Sequence, residues 1–139
     1  MISWILEARF CSAHFYQQSQ WTEEKNRIEF GRCYTDYGHG HNYRLLAEWG
    51  NVPDSRLSKL REQFDEVVKQ LDHEHLNFVI PEFKDTVPTT ENICEYLRNQ
   101  IQEKIPYPLL RLELFEDHDI GALWEPDSKT ISTHPLPLP

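Results

Sequence analysis

The chain has 139 residues and carries 23 acidic against 14 basic side chains, a formal net charge of -9. That length suits one domain with its own core, and so acidic a balance speaks against nucleic-acid binding as the main activity, which usually needs a basic patch. No stretch approaches the roughly 20 consecutive apolar residues of a membrane span, and residues 1–8, with Glu7 and no basic leader, read as a strand and not as a signal peptide.

Residues 2–15 alternate, so that Trp4, Leu6, Ala8, Phe10, Ser12 and His14 share one face of a first strand with His14 at its end. A loop of more than 20 residues follows, and so long a loop in a compact domain is more often functional than idle. It carries Lys25, Arg27 and Arg32, a local basic group that would offset the acidic balance near a site, and it ends on Cys33. A second strand over residues 39–49 puts His39 and His41 on one face with Tyr43, Leu45, Ala47 and Trp49, while Gly40 leaves the opposite face clear. Asn51-Val52-Pro53-Asp54-Ser55 breaks that strand and offers Asp54 or Ser55 as a helix N-cap.

Leu57, Leu60, Phe64, Val67, Val68 and Leu71 then recur at helical spacing, and this first helix ends near Asp72-His73-Glu74-His75. A second helix starts at Thr89-Thr90-Glu91, where a threonine caps the free amides and Glu91 suits the positive end of the dipole. Ile93, Leu97 and Ile101 give its inner face, continued by Ile105, and Pro106 and Pro108 stop it. Leu110, Leu112 and Leu114 alternate with Arg111, Glu113 and Phe115 as in a half-buried strand, and a last short strand covers residues 122–124. Residues 1–131 therefore read as a single domain. Residues 132–139, where alternating prolines bar helix and central strand, read as a tail that lies over a neighbour or stays mobile.

The order strand, strand, helix, helix, strand, strand implies an α+β fold: a four-stranded antiparallel sheet with two helices on one face. Its two open edges are a liability unless paired, so an oligomer that closes the sheet into a barrel is expected. The three cysteines, Cys11, Cys33 and Cys94, are odd in number and form no C-x-x-C pair, which fits a reducing cytoplasm better than a disulfide framework. Cys94 lies in an apolar helical pattern and reads as packing, Cys11 has no assigned role, and Cys33 is the thiol that invites a mechanism.

Any one histidine in a strand is more often a hydrogen-bonded partner than a ligand, and H-x-H alone is a weak signal. The combination here is richer. His39 and His41 sit one strand repeat apart, His14 ends another strand, and a single cysteine lies close by in sequence. Three histidines with an open fourth position form the ligand set of a catalytic zinc.

Several segments resemble a known family, the 6-pyruvoyltetrahydropterin and 6-carboxytetrahydropterin synthases of the tunnelling, or T-fold, group. Phe10-Cys11-Ser12-Ala13-His14 resembles its first zinc-ligand segment. Phe30-Gly31-Arg32-Cys33 with Gly38-His39-Gly40-His41-Asn42-Tyr43 resembles its cysteine and paired-histidine segment. Leu71-Asp72-His73 with Leu76-Asn77, then Pro88-Thr89-Thr90-Glu91-Asn92, then Leu114-Phe115-Glu116 resemble the remaining ones, in the same order. The resemblance implies zinc on His14, His39 and His41, and Cys33 as general base with Asp72 and His73 completing a proton-transfer set. It also implies Glu116 as the anchor of a pterin ring in a pocket lined by Thr89 and Thr90. It further implies 7,8-dihydroneopterin triphosphate or a close relative as substrate, and a homohexamer of two stacked trimers with sites at subunit interfaces.

These residue types suit that chemistry. Zinc acts as a Lewis acid on side-chain oxygens; a thiol, with an ordinary pKa of about 8.5, becomes a usable base where a metal or cation favours its thiolate. Aspartate supports an imidazolium, and a carboxylate accepts the two parallel donors of an amino-pyrimidine edge. Taken without the family, Asp72 reads as a helix terminator, Thr89 as a cap and Glu116 as a solvated strand-end acid. One segment departs from the family: Trp49-Gly50-Asn51-Val52-Pro53-Asp54-Ser55 replaces a longer Gly-Met-Val-Met-Asp-like connection, which bears on the pocket rim. The expected reaction is loss of triphosphate to give 6-pyruvoyltetrahydropterin. The alternatives are a carboxy product with acetaldehyde on a queuosine (deazapurine) route, a zinc-free relative from the folate route, and a catalytically silent zinc or pterin-binding module.

Overall fold

The computed structural model describes residues 2–127; the expected tail at 132–139, and the last residues of the expected domain, lie outside the described residues. Two twelve-residue strands, β1 (Ser3–His14) and β2 (His39–Gly50), form the middle of the fold. They pair antiparallel without a slip, from Ser3 opposite Gly50 to His14 opposite His39. Their alternation decides which side is inside. Phe10, Tyr43, Leu45, Ala47 and Trp49 are buried on one face, while Ile5, Arg9, Asn42, Arg44, Leu46 and Glu48 fall on the other.

β4 (Leu109–Glu116) runs beside β2, and β5 (Ile120–Trp124) beside β4, both antiparallel. A register shift at Glu48/Trp49 sets Trp49 opposite Leu109 and Glu48 opposite Arg111. The bulge changes the phase of β4: Leu109, Leu112 and Leu114 are the buried leucines, not the evenly spaced set that begins at Leu110.

The helices α2 (Leu57–Lys69) and α4 (Thr90–Lys104) cover the apolar face. Leu60, Phe64, Val67 and Val68 of α2 meet Ile93, Leu97 and Ile101 of α4 in one core with the strand residues, and the Phe64 ring packs edge-on against Trp49 with centroids 5.2 Å apart. Thr89 caps α4 by accepting from the Asn92 amide at 3.2 Å. No such side-chain cap exists on α2: Asp54 and Ser55 belong to a tight 3₁₀ turn, and the helix begins after it with Arg56 as its flanking residue.

Two short helices were not anticipated. α1 (Glu23–Phe30) breaks the long loop, with Thr22 accepting from the Lys25 amide, and buries only Asn26 of its own residues. α3 (Leu76–Val79) follows the fifth strand of the sheet, β3 (Glu74–His75). The sheet has five strands instead of four, in the order β3-β1-β2-β4-β5. After α2 stops, His73 takes a φ of 62° and its amide donates to the Cys11 carbonyl at 2.7 Å. That turn lays Glu74 and His75 parallel to Ser12 and Ala13. The α+β class and the two covering helices hold, and the added strand sits at the edge.

Among the described residues no helix covers the other face of the sheet. Ile5 and Leu123 stand on it largely exposed, between Arg111–Glu113 and Ser3–Glu48 contacts. Among the described residues no helix is long and apolar enough to cross a membrane.

Candidate metal centre

Pairing of β1 with β2 sets His14 directly opposite His39, and His41 opposite Ser12. The three rings converge with centroids 4.7 to 5.1 Å apart, nearly perpendicular to one another, and one nitrogen from each lies within 4.8 Å of the others. His14 is 1% exposed. Burial, aided by the neighbouring His39 and His41, lowers its pKa to about 4 against the pull of the Pro88 carbonyl. His39 is lowered too, by burial first and then by His41. Neutral imidazoles result, and these are the form that binds metals.

His14 Nδ1 lies 2.8 Å from the Pro88 carbonyl, to which it donates, so Nε2 keeps its lone pair. Gly38, at φ 79°, holds the approach to β2 against this spot: a Cβ there would stand 2.3 Å from the His14 carbonyl oxygen.

The donor set fits a zinc ion. Three nitrogens about 2 Å from one tetrahedral ion stand about 3.4 Å from one another, and His14 Nε2 lies 3.1 Å from His39 Nε2. His41 Nε2 is buried and lacks an aligned hydrogen-bond partner; Glu116 Oε1 is 2.9 Å away but does not meet it as a hydrogen bond. A buried ring nitrogen without a hydrogen bond, beside two neutral imidazoles, is what a metal would satisfy.

Glu116 ends β4 next to this cluster. It takes a hydrogen bond from the Thr90 hydroxyl at the first turn of α4, so Thr90 and Glu116 touch each other, while Thr89 serves as the cap that starts the helix. Cys33, a free and half-buried thiol, closes a 3₁₀ turn after α1. Its carbonyl accepts from the Tyr16 amide at 2.7 Å. The Tyr16 ring meets His14 at 5.3 Å and Phe30 at 5.7 Å. Burial pushes the Tyr16 hydroxyl up to about 12, with Glu116, Cys33 and Glu91 adding to it. Tyr16 thus stands among the cysteine, the carboxylate and the histidines. Continuing the parity of Ser12 and His14 by one step would have found it.

Asp72 and His73 occupy a different place. His73 Nδ1 is 3.0 Å from Asp72 Oδ2, with the His73 side chain 79% exposed. The Cys11 amide donates to Asp72 Oδ1 at 3.0 Å, and this bond, ahead of His73, holds the carboxyl below its ordinary value. The pair borders a groove of about 640 Å³ with Arg9, Cys11, Asn42, Arg44, Asp117 and His118. A second groove runs on to His41 and His75. Neither groove reaches Cys33 or Glu116.

Asn77, quoted in the sequence only within a family-like segment and given no role there, uses its buried amide to clamp the Phe15 backbone at 2.9 and 3.0 Å just after β1. His75 is half-buried against Phe15 and Phe78. Asp117, on the turn after β4, reaches His41 Nδ1 at 3.1 Å.

Residues 4–127 match the family model described as 6-pyruvoyl tetrahydropterin synthase. The human 6-pyruvoyl tetrahydrobiopterin synthase is 30% identical over 115 residues, covering 77% of this chain and 79% of the human protein. A dihydroneopterin monophosphate aldolase of Pyrococcus furiosus is 30% identical over 124 residues, covering 85% of this chain and 92% of that protein. The structure of the Caenorhabditis elegans 6-pyruvoyl tetrahydropterin synthase superposes with a TM-score of 0.82 at 25% identity, covering 91% of this chain and 96% of that one.

Proposed function

The chain belongs to the 6-pyruvoyl tetrahydropterin synthase family and is an enzyme of the lyase class, and from that premise we propose that it is zinc-dependent and converts 7,8-dihydroneopterin triphosphate to 6-pyruvoyltetrahydropterin with loss of triphosphate. The observation that carries this reading is the convergence of His14, His39 and His41, with a ring nitrogen of His41 buried and without an aligned hydrogen bond, beside Glu116.

Zinc bound by those three rings would supply Lewis acidity to the side-chain oxygens of the substrate. The remaining work falls to the chain's own groups. Cys33, beside Tyr16, takes a proton from the side-chain carbon next to a hydroxyl. Asp72 engages Nδ1 of His73, which leaves Nε2 free to pass a proton. Glu116, steadied by Thr90, accepts two parallel hydrogen bonds from the amino-pyrimidine edge of the pterin, and Thr89 and Thr90 form the adjoining wall.

In our reading residues 1–131 act as one domain with 132–139 appended, and the chain works in the cytoplasm, in keeping with three free cysteines. We assign a homohexamer of two stacked trimers as the working form. The exposed His73 at a sheet edge, the bare sheet face and the short edge strand favour sites completed by a neighbouring copy.

A second reading has one observation in its favour: the relative named as an aldolase is matched over nearly its whole length. There the side chain would be cut at a carbon–carbon bond, either with acetaldehyde release to a carboxy product on a queuosine-type route or by a retro-aldol step. The experiment is to incubate zinc-loaded protein with 7,8-dihydroneopterin triphosphate, weigh the pterin product by mass spectrometry and assay acetaldehyde in parallel. A pyruvoyl product without acetaldehyde supports the first reading. A carboxy product with acetaldehyde, or a pterin with a shortened side chain, moves the chain to the second. Unchanged substrate on zinc-loaded protein defeats both and leaves a silent binding module.

A further inference from the structure

Asp117 has no part in the reaction proposed for this site, yet its carboxylate is aimed at one of the histidines. β4 ends at Glu116 and β5 begins at Ile120, so Asp117 opens the hairpin connection, and it does so at φ 63°. Most side chains avoid that region, although aspartate tolerates it better than bulkier residues. Glu116 pairs with Tyr43, which brings the next residue level with the His41 end of β2. There Asp117 Oδ2 stands 3.1 Å from His41 Nδ1, on the opposite edge of the ring from Nε2, the nitrogen that faces Glu116 at 2.9 Å.

We infer that Asp117 is a positioning residue for His41: its carboxylate takes the Nδ1 hydrogen bond, fixes the ring's tautomer and aim, and leaves Nε2 as the lone-pair nitrogen offered to the metal. This rests on the reading that the three histidines hold zinc. It parallels His14, whose Nδ1 is spent on the Pro88 carbonyl in the same way, except that a carboxylate partner also raises the basicity of the ligating nitrogen. The left-handed backbone at Asp117 belongs with the role: it is a local strain that the turn keeps in place beside a functional group.

The test uses the full chain stripped of metal and compares wild type with Asp117→Gly and Asp117→Asn. Zinc affinity is read by competition with a chromogenic chelator, and the thermal midpoint of the metal-free protein is read alongside. Glycine is at ease at positive φ, so Asp117→Gly should leave the metal-free midpoint equal or higher while weakening zinc about ten- to a hundred-fold. Asp117→Asn keeps an oxygen acceptor without the charge and should fall between. Equal zinc affinity in wild type and Asp117→Gly overturns the inference alone, as does a loss that merely follows a lowered metal-free midpoint. Wild-type protein that takes up no zinc overturns the metal reading and this inference with it.

Discussion

His39 and His41 ride on β2, in the interior of the sheet with β1 on one side and β4 on the other, and His14 faces them from β1 through a register without a slip. Asp72 and His73 sit instead on the turn between α2 and the two-residue β3, at the sheet edge, with His73 at a positive φ and mostly in solvent. In the first group His14 is buried and His39 and His41 are half-buried. Burial lowers the pKa of His14 and His39, and the rings of His14 and His41 are aimed by bonds to Pro88 and Asp117. The second is a polar pair held to the backbone of Cys11, whose amide donates to Asp72 and whose carbonyl accepts from the His73 amide. A donor set that must hold one ion in a fixed geometry belongs on paired strands, whose side chains have little freedom. A proton carrier that meets its partners across an interface can stand on an edge.

The sharpest way to break this comparison is to remove a member of the histidine group. His14→Ala should take zinc from about one per chain to none, by elemental analysis, and lower turnover by roughly a thousand-fold, the scale of several kcal/mol of Lewis-acid stabilisation. Retained stoichiometric zinc would show that the ion sits elsewhere. Cys33→Ala should keep the zinc and still lose about 10²- to 10⁴-fold in turnover, the usual range for a general base. The same thiol sharpens the contrast with Cys94, which burial pushes up to about 11: at pH 8 a maleimide should label Cys33 and spare Cys94, as read by peptide mass.

Complementation addresses the edge group directly. Cys33→Ala and His73→Ala chains, each inactive alone, are unfolded together and refolded as a mixture. If each site draws Cys33 from one copy and His73 from another, roughly a quarter of wild-type activity returns; no recovery means that both groups serve a site within one chain.

The smallest effect concerns Asp72. Its carboxyl is held below the ordinary value in the folded protein, by the Cys11 amide first. A depressed folded pKa contributes stability that is complete above the unfolded value of about 3.9 and is lost as pH falls through the lower folded one. Asp72→Asn should therefore be slightly less stable than wild type at pH 7 in urea titrations, with the deficit shrinking below about pH 4. The carboxyl is 36% exposed, so the difference is small. A deficit that persists unchanged into acid would assign the effect to geometry and not to charge.

Where a period was present, the sequence was legible. Alternation in Trp4 to His14 and in His39 to Trp49 gave both long strands and their inward faces, and the stripe from Leu60 to Leu71 gave α2, because burial of one face imposes those spacings. β3 was invisible because two residues cannot show a period; it exists through the His73 turn and the Cys11 carbonyl. α1 was invisible for a different reason: it is a polar, capped helix with no apolar stripe to read. The phase of β4 was misjudged because a bulge at Glu48/Trp49 leaves Leu110 out of register. At the site, the convergence of the three histidines followed from parity and a resemblance, and Tyr16 was within reach of the same parity. Asp117 was not, since its meeting with His41 depends on a hairpin turn and a left-handed backbone.

The hydrogen bond from His14 to Pro88 joins residues 74 positions apart, and that separation bears on when the centre comes into being. In the unfolded chain only His39 and His41 are neighbours. His14 meets them only through the β1–β2 ladder, and its ring bond needs Pro88, just before α4, in place. Contacts of such long range carry a high closure entropy, so on the zinc reading the centre is expected to form with the fold and not to start it, unlike the sites of small zinc-stabilised domains. The apolar core running from Phe10 to Leu114 contains none of the three histidines. On the zinc reading proposed above, synthesis under metal scarcity should yield folded, empty protein, ready to be charged when metal returns: supply would set how much of the pool works.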